Sequence, residues 1–178
     1  AQCRVGILGL GAVGRFVATA VQAIGYPVAG WSRSARALPG VPTCHGPDGL
    51  ASLLERSDIL VCALPLTDAT RDLLDRRTLS LLPQGAYLIN VGRGEQVVEA
   101  DLLALLDSGH LAGAALDVLR EEPPQPGHAL WHHAKVFGTP HIAAQASPET
   151  IARQCLDNLH RVRTGQPVLN RVDLAKGY

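Results

Sequence analysis

The sequence predicts an α/β protein: a doubly wound parallel sheet with helices on both faces. Three observations support this. Short apolar runs alternate with segments of helical period along the chain. The runs are continuous rather than alternating apolar and polar, as in strands buried on both faces. A glycine-rich turn joins the first run to the first helical segment.

In chain order, strands are expected at residues 3–8 (CRVGIL), 27–31 (PVAGW), 58–64 (DILVCAL), 86–91 (AYLINV), 113–118 (GAALDV) and 136–138 (VFG). Helices are expected at 13–24, 49–56, 75–82, 99–108 and 148–163. Glu99 and Asp101 place acids in the first turn of the fourth helix, and Gly109 supplies its stop. The EPPQPG stretch at 122–127 reads as a rigid surface loop. Residues 1–145 form the dinucleotide-binding domain of this reading. Residues 146–178 form a helix and tail resembling a strap that packs on something else.

Composition narrows the function classes. The chain has 178 residues, 47% hydrophobic and 18% charged, which suits a globular domain. Sixteen Lys+Arg balance sixteen Asp+Glu, so no net charge recruits nucleic acid or an anionic membrane. No apolar run reaches the length of a membrane span. The four cysteines are scattered and unpaired in sequence, arguing against a zinc site or disulfide framework and for a reducing, cytoplasmic setting. Methionine is absent and the chain begins at Ala1, so the expectation is a processed chain or a piece of a longer one.

Gly9-Leu10-Gly11-Ala12-Val13-Gly14 has the GxGxxG form where it is required, between a strand and a helix. Gly9 permits the tight turn and Gly11 lets backbone approach a pyrophosphate. Gly14 lets helix pack on strand. The helix N-terminus then offers N–H groups to phosphate oxygens. The plainer alternative is glycines used only for turns. A strand that selects NAD usually ends in Asp or Glu, to bind the ribose hydroxyls. Here it ends Gly30-Trp31-Ser32-Arg33-Ser34, with no acid before Asp48. Ser32, Arg33, Ser34 and Arg36 therefore point to a 2′-phosphate and to NADP(H), with Trp31 counted among the cofactor-binding residues and NAD(H) kept as the alternative. The rival reading makes Arg33 and Arg36 solvated loop cations.

Further candidates stand at the ends of later strands, where such sheets bind ligands. Arg93, flanked by glycines, suits a substrate carboxylate and can polarise the adjacent carbonyl. Asp117 and the Glu121-Glu122-Pro123 stretch follow the next strand, and His141 follows the last. A His, a carboxylate and an Arg from successive strand ends fit hydride transfer: the imidazolium donates a proton to a carbonyl oxygen, and the carboxylate orients the ring. Taken singly, each also reads as an ordinary loop residue. His128, His132 and His133 lie near Trp131 but lack the partners of a metal site. They read as a surface or subunit-contact loop anchored by Leu130 and Trp131.

The segments GLGAVG, LPLTDATRDLL, LLPQGAYLINVGRGEQVVEADLLALLDSGHLAGAALDVLREEP and TPHIA together resemble the D-isomer-specific 2-hydroxyacid dehydrogenase family. WSRS and the closing VDLAKGY look most like its glyoxylate/hydroxypyruvate reductase A branch. The resemblance implies a Rossmann-type domain and NADPH-dependent reduction of small 2-oxoacids. In it Arg93 binds the oxoacid, His141 is the acid/base and Glu122 its partner, favoured over Glu121 because the motif places the acid before Pro. Leu64 and Pro65 would line the nicotinamide ribose, while Val91, Gly92 and Asp117 would hold the nicotinamide end. It also implies a homodimer through the cofactor domain and a substrate domain ahead of the glycine loop. Gly9 lies almost at the start, so the expectation is a chain that binds NADP(H) but turns over 2-oxoacids weakly or not at all. Two other classes compete: a nucleotide-sensing binding protein on the same fold, and a methyltransferase using the glycine turn for S-adenosylmethionine. The Ser32–Ser34 segment and the Arg93, Glu122, His141 order argue against the second.

Overall fold

The computed structural model describes residues 3–173. The last five residues of the closing VDLAKGY segment lie outside that range. The chain forms two compact units, Ala1–Ala143 and Ala144–Tyr178.

The first unit holds strands β1 (Val5–Leu8), β2 (Val28–Ser32), β3 (Thr43–His45), β4 (Ile59–Cys62), β5 (Ala86–Asn90), β6 (Leu111–Leu116) and β7 (Val136–Gly138). Its helices are α1 (Ala12–Ala23), α2 (Gly46–Leu54), α3 (Arg76–Leu79) and α4 (Glu99–Asp107), with a 3₁₀ turn at Gly94–Gln96. The strands form one seven-stranded sheet in the order β3-β2-β1-β4-β5-β6-β7. Every pairing is parallel. The order reverses between β1 and β4, which opens a crevice at the carboxyl ends of those strands.

The continuous apolar runs have a direct cause. Neighbouring strand residues face opposite sides of a sheet, and both sides here are covered. Val5 and Ile7 of β1, with Val61 of β4, join Ala18 of α1 in one core cluster. Leu8 and Leu60 from the same strands join Leu53, Leu54, Leu102 and Leu106 of α2 and α4 in the other. Gly14 enables the close seat of α1: a Cβ there would lie 1.7 Å from the Gly9 carbonyl oxygen.

Several boundaries differ from the sequence expectation. The edge strand β3 was not expected; it is three residues long and largely exposed, so it lacks an apolar run. Helix α2 starts earlier, with Pro47 in its first turn. Helix α3 is one turn, closed by a capping box in which Asp75 accepts from the Thr78 N–H at 2.8 Å. Strand β6 ends at Leu116, leaving Asp117 on the site edge.

At the opposite, amino-terminal edge, Arg4 and Asp58 pair across the starts of β1 and β4. The guanidinium donates to both carboxylate oxygens at 2.9 and 2.8 Å, and the Arg4 N–H donates at 2.8 Å. These hydrogen bonds hold the Asp58 carboxyl down at about 2. A carboxylate with a lowered folded-state pKa adds stability above its ordinary value and loses it as pH falls through the folded one. The stability gap between wild type and Asp58→Asn should therefore be full at neutral pH and close as pH falls from about 4 to about 2, read by thermal melts. A gap unchanged over that range would show that the pair does not couple to folding.

The second unit is built on α5 (Pro148–Arg163). Ser147 caps it, accepting from the Thr150 N–H at 3.3 Å, and His160, Arg161 and Arg163 occupy its last turn, where cations suit the helix dipole. None of its residues is buried, and Ile151, Leu156, Leu159 and Val162 are exposed. Among the described residues, no helix is long and apolar enough to cross a membrane.

Candidate active site

Backbone bonds carry the sheet past its strand ends and seat each loop. The Gly9 N–H donates to Trp31 O at 2.9 Å, Asp117 N–H to Asn90 O at 3.0 Å, and Thr139 N–H to Leu116 O at 3.0 Å. The glycine turn, the Ser32–Arg36 segment, Leu64–Pro65, Val91–Arg93, Asp117 and His141 thus share one edge of the sheet.

The glycine turn fits a dinucleotide. Gly9 has φ +95°, which disfavours any side chain, and a Cβ there would meet the Ala63 carbonyl at 2.7 Å. Gly11 is the N-cap of α1 and brings no side chain to cap the first helical N–H groups. A Cβ at Gly11 would meet nothing within 4 Å, so the approach to these N–H groups is open to a phosphate. Ala12 and Val13 continue into the helix and are exposed.

At the β2 end the side chains of Trp31, Ser32 and Arg36, expected beside the cofactor, are held by bonds within the protein. The indole of Trp31 is buried and its Nε1 donates to Gly46 O at 2.8 Å. Trp31 therefore offers the site strand backbone, not a ring face. The Ser32 hydroxyl is turned inward, donating to Ser34 O at 2.8 Å. Ser34 and Arg33 are exposed, and Arg36 reaches back to Leu10 O at 3.4 Å, bringing a cation beside the glycine turn. The segment from Val28 to Pro47 carries no carboxylate side chain.

Arg93, Glu122 and His141 line one open cleft of about 230 Å³, with Gly94, Glu95, Leu119 and Arg120. His141 Nδ1 meets Glu122 Oε2 at 2.7 Å, and Glu122 Oε1 accepts from the Leu119 N–H at 3.0 Å. Glu121 instead accepts from Gln125 Nε2 at 2.6 Å, so the acid nearest the proline is the one on the imidazole. Asn90 shapes the arginine turn: its Nδ2 donates to Arg93 O and its Oδ1 accepts from Gly92 N–H, each at 3.0 Å. The Arg93 guanidinium donates to Gly92 O at 2.7 Å.

Asp117, expected from the resemblance at the nicotinamide end, is bonded within the protein to the segment that follows β7. Its carboxylate accepts from the Thr139 hydroxyl at 2.6 Å and from the Ile142 and Ala143 N–H groups at 2.8 and 2.9 Å. Burial pushes this carboxyl up, but those hydrogen bonds and the nearby His141 outweigh it and hold it below the usual range. The Asp117 carbonyl also accepts the His141 N–H at 2.9 Å. Asp117 therefore ties down the turn that presents His141, which sits at φ 55°. Leu64 is buried and Val91 half-buried, so near the cleft they contribute chiefly backbone; the carbonyls of Leu64 and Pro65 both accept from Gln96 Nε2. Sequence reasoning passed over Gln96, Asn90 and Arg120.

The loop histidines do not converge. His128 pairs with Glu99 at 3.1 Å and His133 with Asp107 at 3.2 Å. Among the described residues no group of three or more His, Cys, Asp or Glu could hold a metal. Leu130 is buried as expected, but Trp131 is exposed, its ring lying along Gly138.

A parallel sheet that reverses order beside a glycine turn defines a dinucleotide-binding domain, and an imidazole–carboxylate pair with a guanidinium in one cleft is a constellation suited to oxidoreductases. Residues 1–143 match the family model "D-isomer specific 2-hydroxyacid dehydrogenase, NAD binding domain", and the chain belongs to that family. It is 42% identical over 174 residues to glyoxylate/hydroxypyruvate reductase A of Salmonella choleraesuis, covering 98% of this chain and 56% of that protein. The chain thus spans about half the length of the curated relatives it matches. A D-isomer specific 2-hydroxyacid dehydrogenase from Xanthobacter autotrophicus Py2, solved with NADPH and MES, superposes with a TM-score of 0.95 at 47% identity, covering 99% of this chain and 73% of that one. An NADPH-dependent glyoxylate/hydroxypyruvate reductase from Sinorhizobium meliloti, solved with NADP and sulfate, gives 0.94 at 39% identity over 99% of this chain and 57% of that one.

Proposed function

We propose that this chain is the cofactor-binding part of an NADPH-dependent reductase of small 2-oxoacids, converting glyoxylate and hydroxypyruvate to glycolate and glycerate. The observation that carries this reading is the convergence of Arg93, Glu122 and His141 on one cleft at the site edge of the sheet. Arg93 grips the oxoacid carboxylate with paired N–H donors and draws charge toward the carbonyl. His141, held at Nδ1 by Glu122, has Nε2 left to pass a proton to the carbonyl oxygen. Glu122 stabilises the imidazolium that this requires. A nicotinamide held at this edge would supply the hydride for the carbonyl carbon. Gly9, Gly11 and Gly14 with the start of α1 hold the pyrophosphate. Leu64, Pro65, Val91 and Gly92 border the nicotinamide end. The substrate's far side is completed by a separate substrate domain, whose closure excludes water and strengthens these contacts. The same reading includes a homodimer through this domain and a cytoplasmic setting, tested by analytical ultracentrifugation and cell fractionation.

Ser34, Arg33 and Arg36 favour a 2′-phosphate. Calorimetric titration of the chain should give NADPH an affinity roughly tenfold or more above that of NADH, the effect of one or two charge-assisted hydrogen bonds. Arg33→Ala should narrow the gap by weakening NADPH alone. Equal affinities for both cofactors would defeat the assignment.

A further inference from the structure

Gln96 lies in the 3₁₀ turn behind the cleft and is completely buried. Its amide is saturated in an ordered way. Nε2 donates to Leu64 O at 2.8 Å and to Pro65 O at 3.2 Å, both just past β4. Oε1 accepts from the Arg93 N–H at 2.9 Å, in the turn after β5, and from the Cys62 thiol at 3.3 Å. One planar group therefore bridges two neighbouring strand ends, with its donor on the turn after β4 and its acceptor shared between Cys62, at the end of β4, and the turn after β5. Gly92 is cut to fit it: a Cβ there would lie 2.3 Å from Gln96 Oε1 and 3.0 Å from Leu64 O. Burial pushes the Cys62 thiol up to about 12, so it keeps its proton and remains a donor.

We propose that Gln96 is the positioning residue that fixes the Leu64–Pro65 turn against the Arg93 turn, so that the segment bordering the nicotinamide and the segment gripping the carboxylate are set by one amide. The inference rests on the cofactor reading above. Glutamine suits the place because it carries a donor and an acceptor on one carbon. Leucine offers neither. An ionised glutamate offers only acceptors and would face two carbonyl oxygens. A protonated glutamate regains one donor, which makes the role readable by pH.

The test is NADPH titration of wild type, Gln96→Leu and Gln96→Glu, by nucleotide fluorescence at a temperature where circular dichroism shows each folded. Gln96→Leu should weaken NADPH about tenfold at every pH, the effect of losing buried hydrogen bonds. Gln96→Glu should bind nearly as wild type at the acid end of a range from about pH 6 to about pH 9. It should weaken relative to wild type as pH rises, because a buried carboxyl facing carbonyls ionises late. If Gln96→Leu fails to fold, the pH profile of Gln96→Glu decides alone. A Gln96→Glu profile parallel to wild type overturns the inference, as does wild-type affinity in a folded Gln96→Leu. Absence of NADPH binding by the wild type itself overturns the cofactor reading and this inference with it, and that result is distinct because it appears before any substitution.

Discussion

Alanine at His141 is expected to lower kcat for 2-oxoacid reduction by roughly a hundred- to ten-thousandfold, the usual range for removing a positioned general acid. The measurement belongs in a polypeptide that joins this chain to a substrate domain, with NADPH saturating. The argument is geometric. His141 is the imidazole in the cleft, its Nδ1 is committed to Glu122 at 2.7 Å, and Glu122 is fixed by the Leu119 N–H at 3.0 Å. The ring thus has a defined orientation, with Nε2 left for the substrate oxygen. Glu122→Gln should lower kcat less, since the amide can still orient the ring but cannot stabilise its charge. Arg93→Lys should act mainly through KM, because one ammonium cannot reproduce a bidentate carboxylate contact. NADPH affinity should be nearly unchanged in all three, which separates catalysis from cofactor binding. If His141→Ala kept a third or more of wild-type kcat, the acid would have to be sought elsewhere. A nucleotide-sensing protein on the same fold would show NADPH binding with no turnover in the wild type.

What could be read from sequence and what could not follow from where each residue's constraint lies. The central strands were legible because both their faces meet a core: Leu8 and Ile7 are adjacent, both buried, and in different clusters. Strand β3 was not, since an edge strand flanked by solvent needs no apolar run. Gly9 and Gly14 were legible because one takes a positive φ and the other allows so close a helix–strand approach, whereas Gly11, at φ −75° with open space around it, was legible only by its place in the GxGxxG spacing. Chemistry alone did not separate Glu122 from Glu121, both acids in one exposed loop; the resemblance favoured the acid before Pro123, and the fold turns Glu122 toward His141 and Glu121 toward Gln125. Asp117 was placed at the right edge, but its hydrogen bonds go to the His141 turn, a partner 22 to 26 residues away that no local pattern shows. Gln96 left no sequence signal at all. A glutamine beside Glu95 reads as surface, and its burial arises only when the 3₁₀ turn folds beneath the ends of β4 and β5.

Gly94→Ala is expected to destabilise the first unit by about 3 kcal/mol or more, at the severe end for a single methyl group. Gly94 opens the 3₁₀ turn, and a Cβ on it would lie 1.9 Å from the carbonyl carbon of Leu119, 2.0 Å from its oxygen and 2.4 Å from the Arg120 nitrogen. Carbon contacts need about 3.5 Å. All three obstacles are backbone atoms and cannot rotate aside. That backbone is also held in place: the Leu119 N–H donates to Glu122, the Arg120 N–H to Glu99 at 3.0 Å, and Arg120 Nε to Val97 O at 2.9 Å, with the Arg120 guanidinium paired to Asp72. Relieving the clash must therefore part the Arg93 turn from the Glu122 turn, the two halves of the proposed catalytic cleft. Domains of this size have about 5–15 kcal/mol to lose, so the melting temperature should fall by about 10 °C or soluble expression should collapse. Gly11→Ala is the control. Its Cβ meets nothing within 4 Å, so the melt should stay near wild type while NADPH binding weakens, the methyl occupying the approach to the helix N-terminus. If the Gly94→Ala melt matched wild type, the close crossing of the two turns would be wrong, and with it the geometry that brings Arg93 into reach of the same substrate as His141.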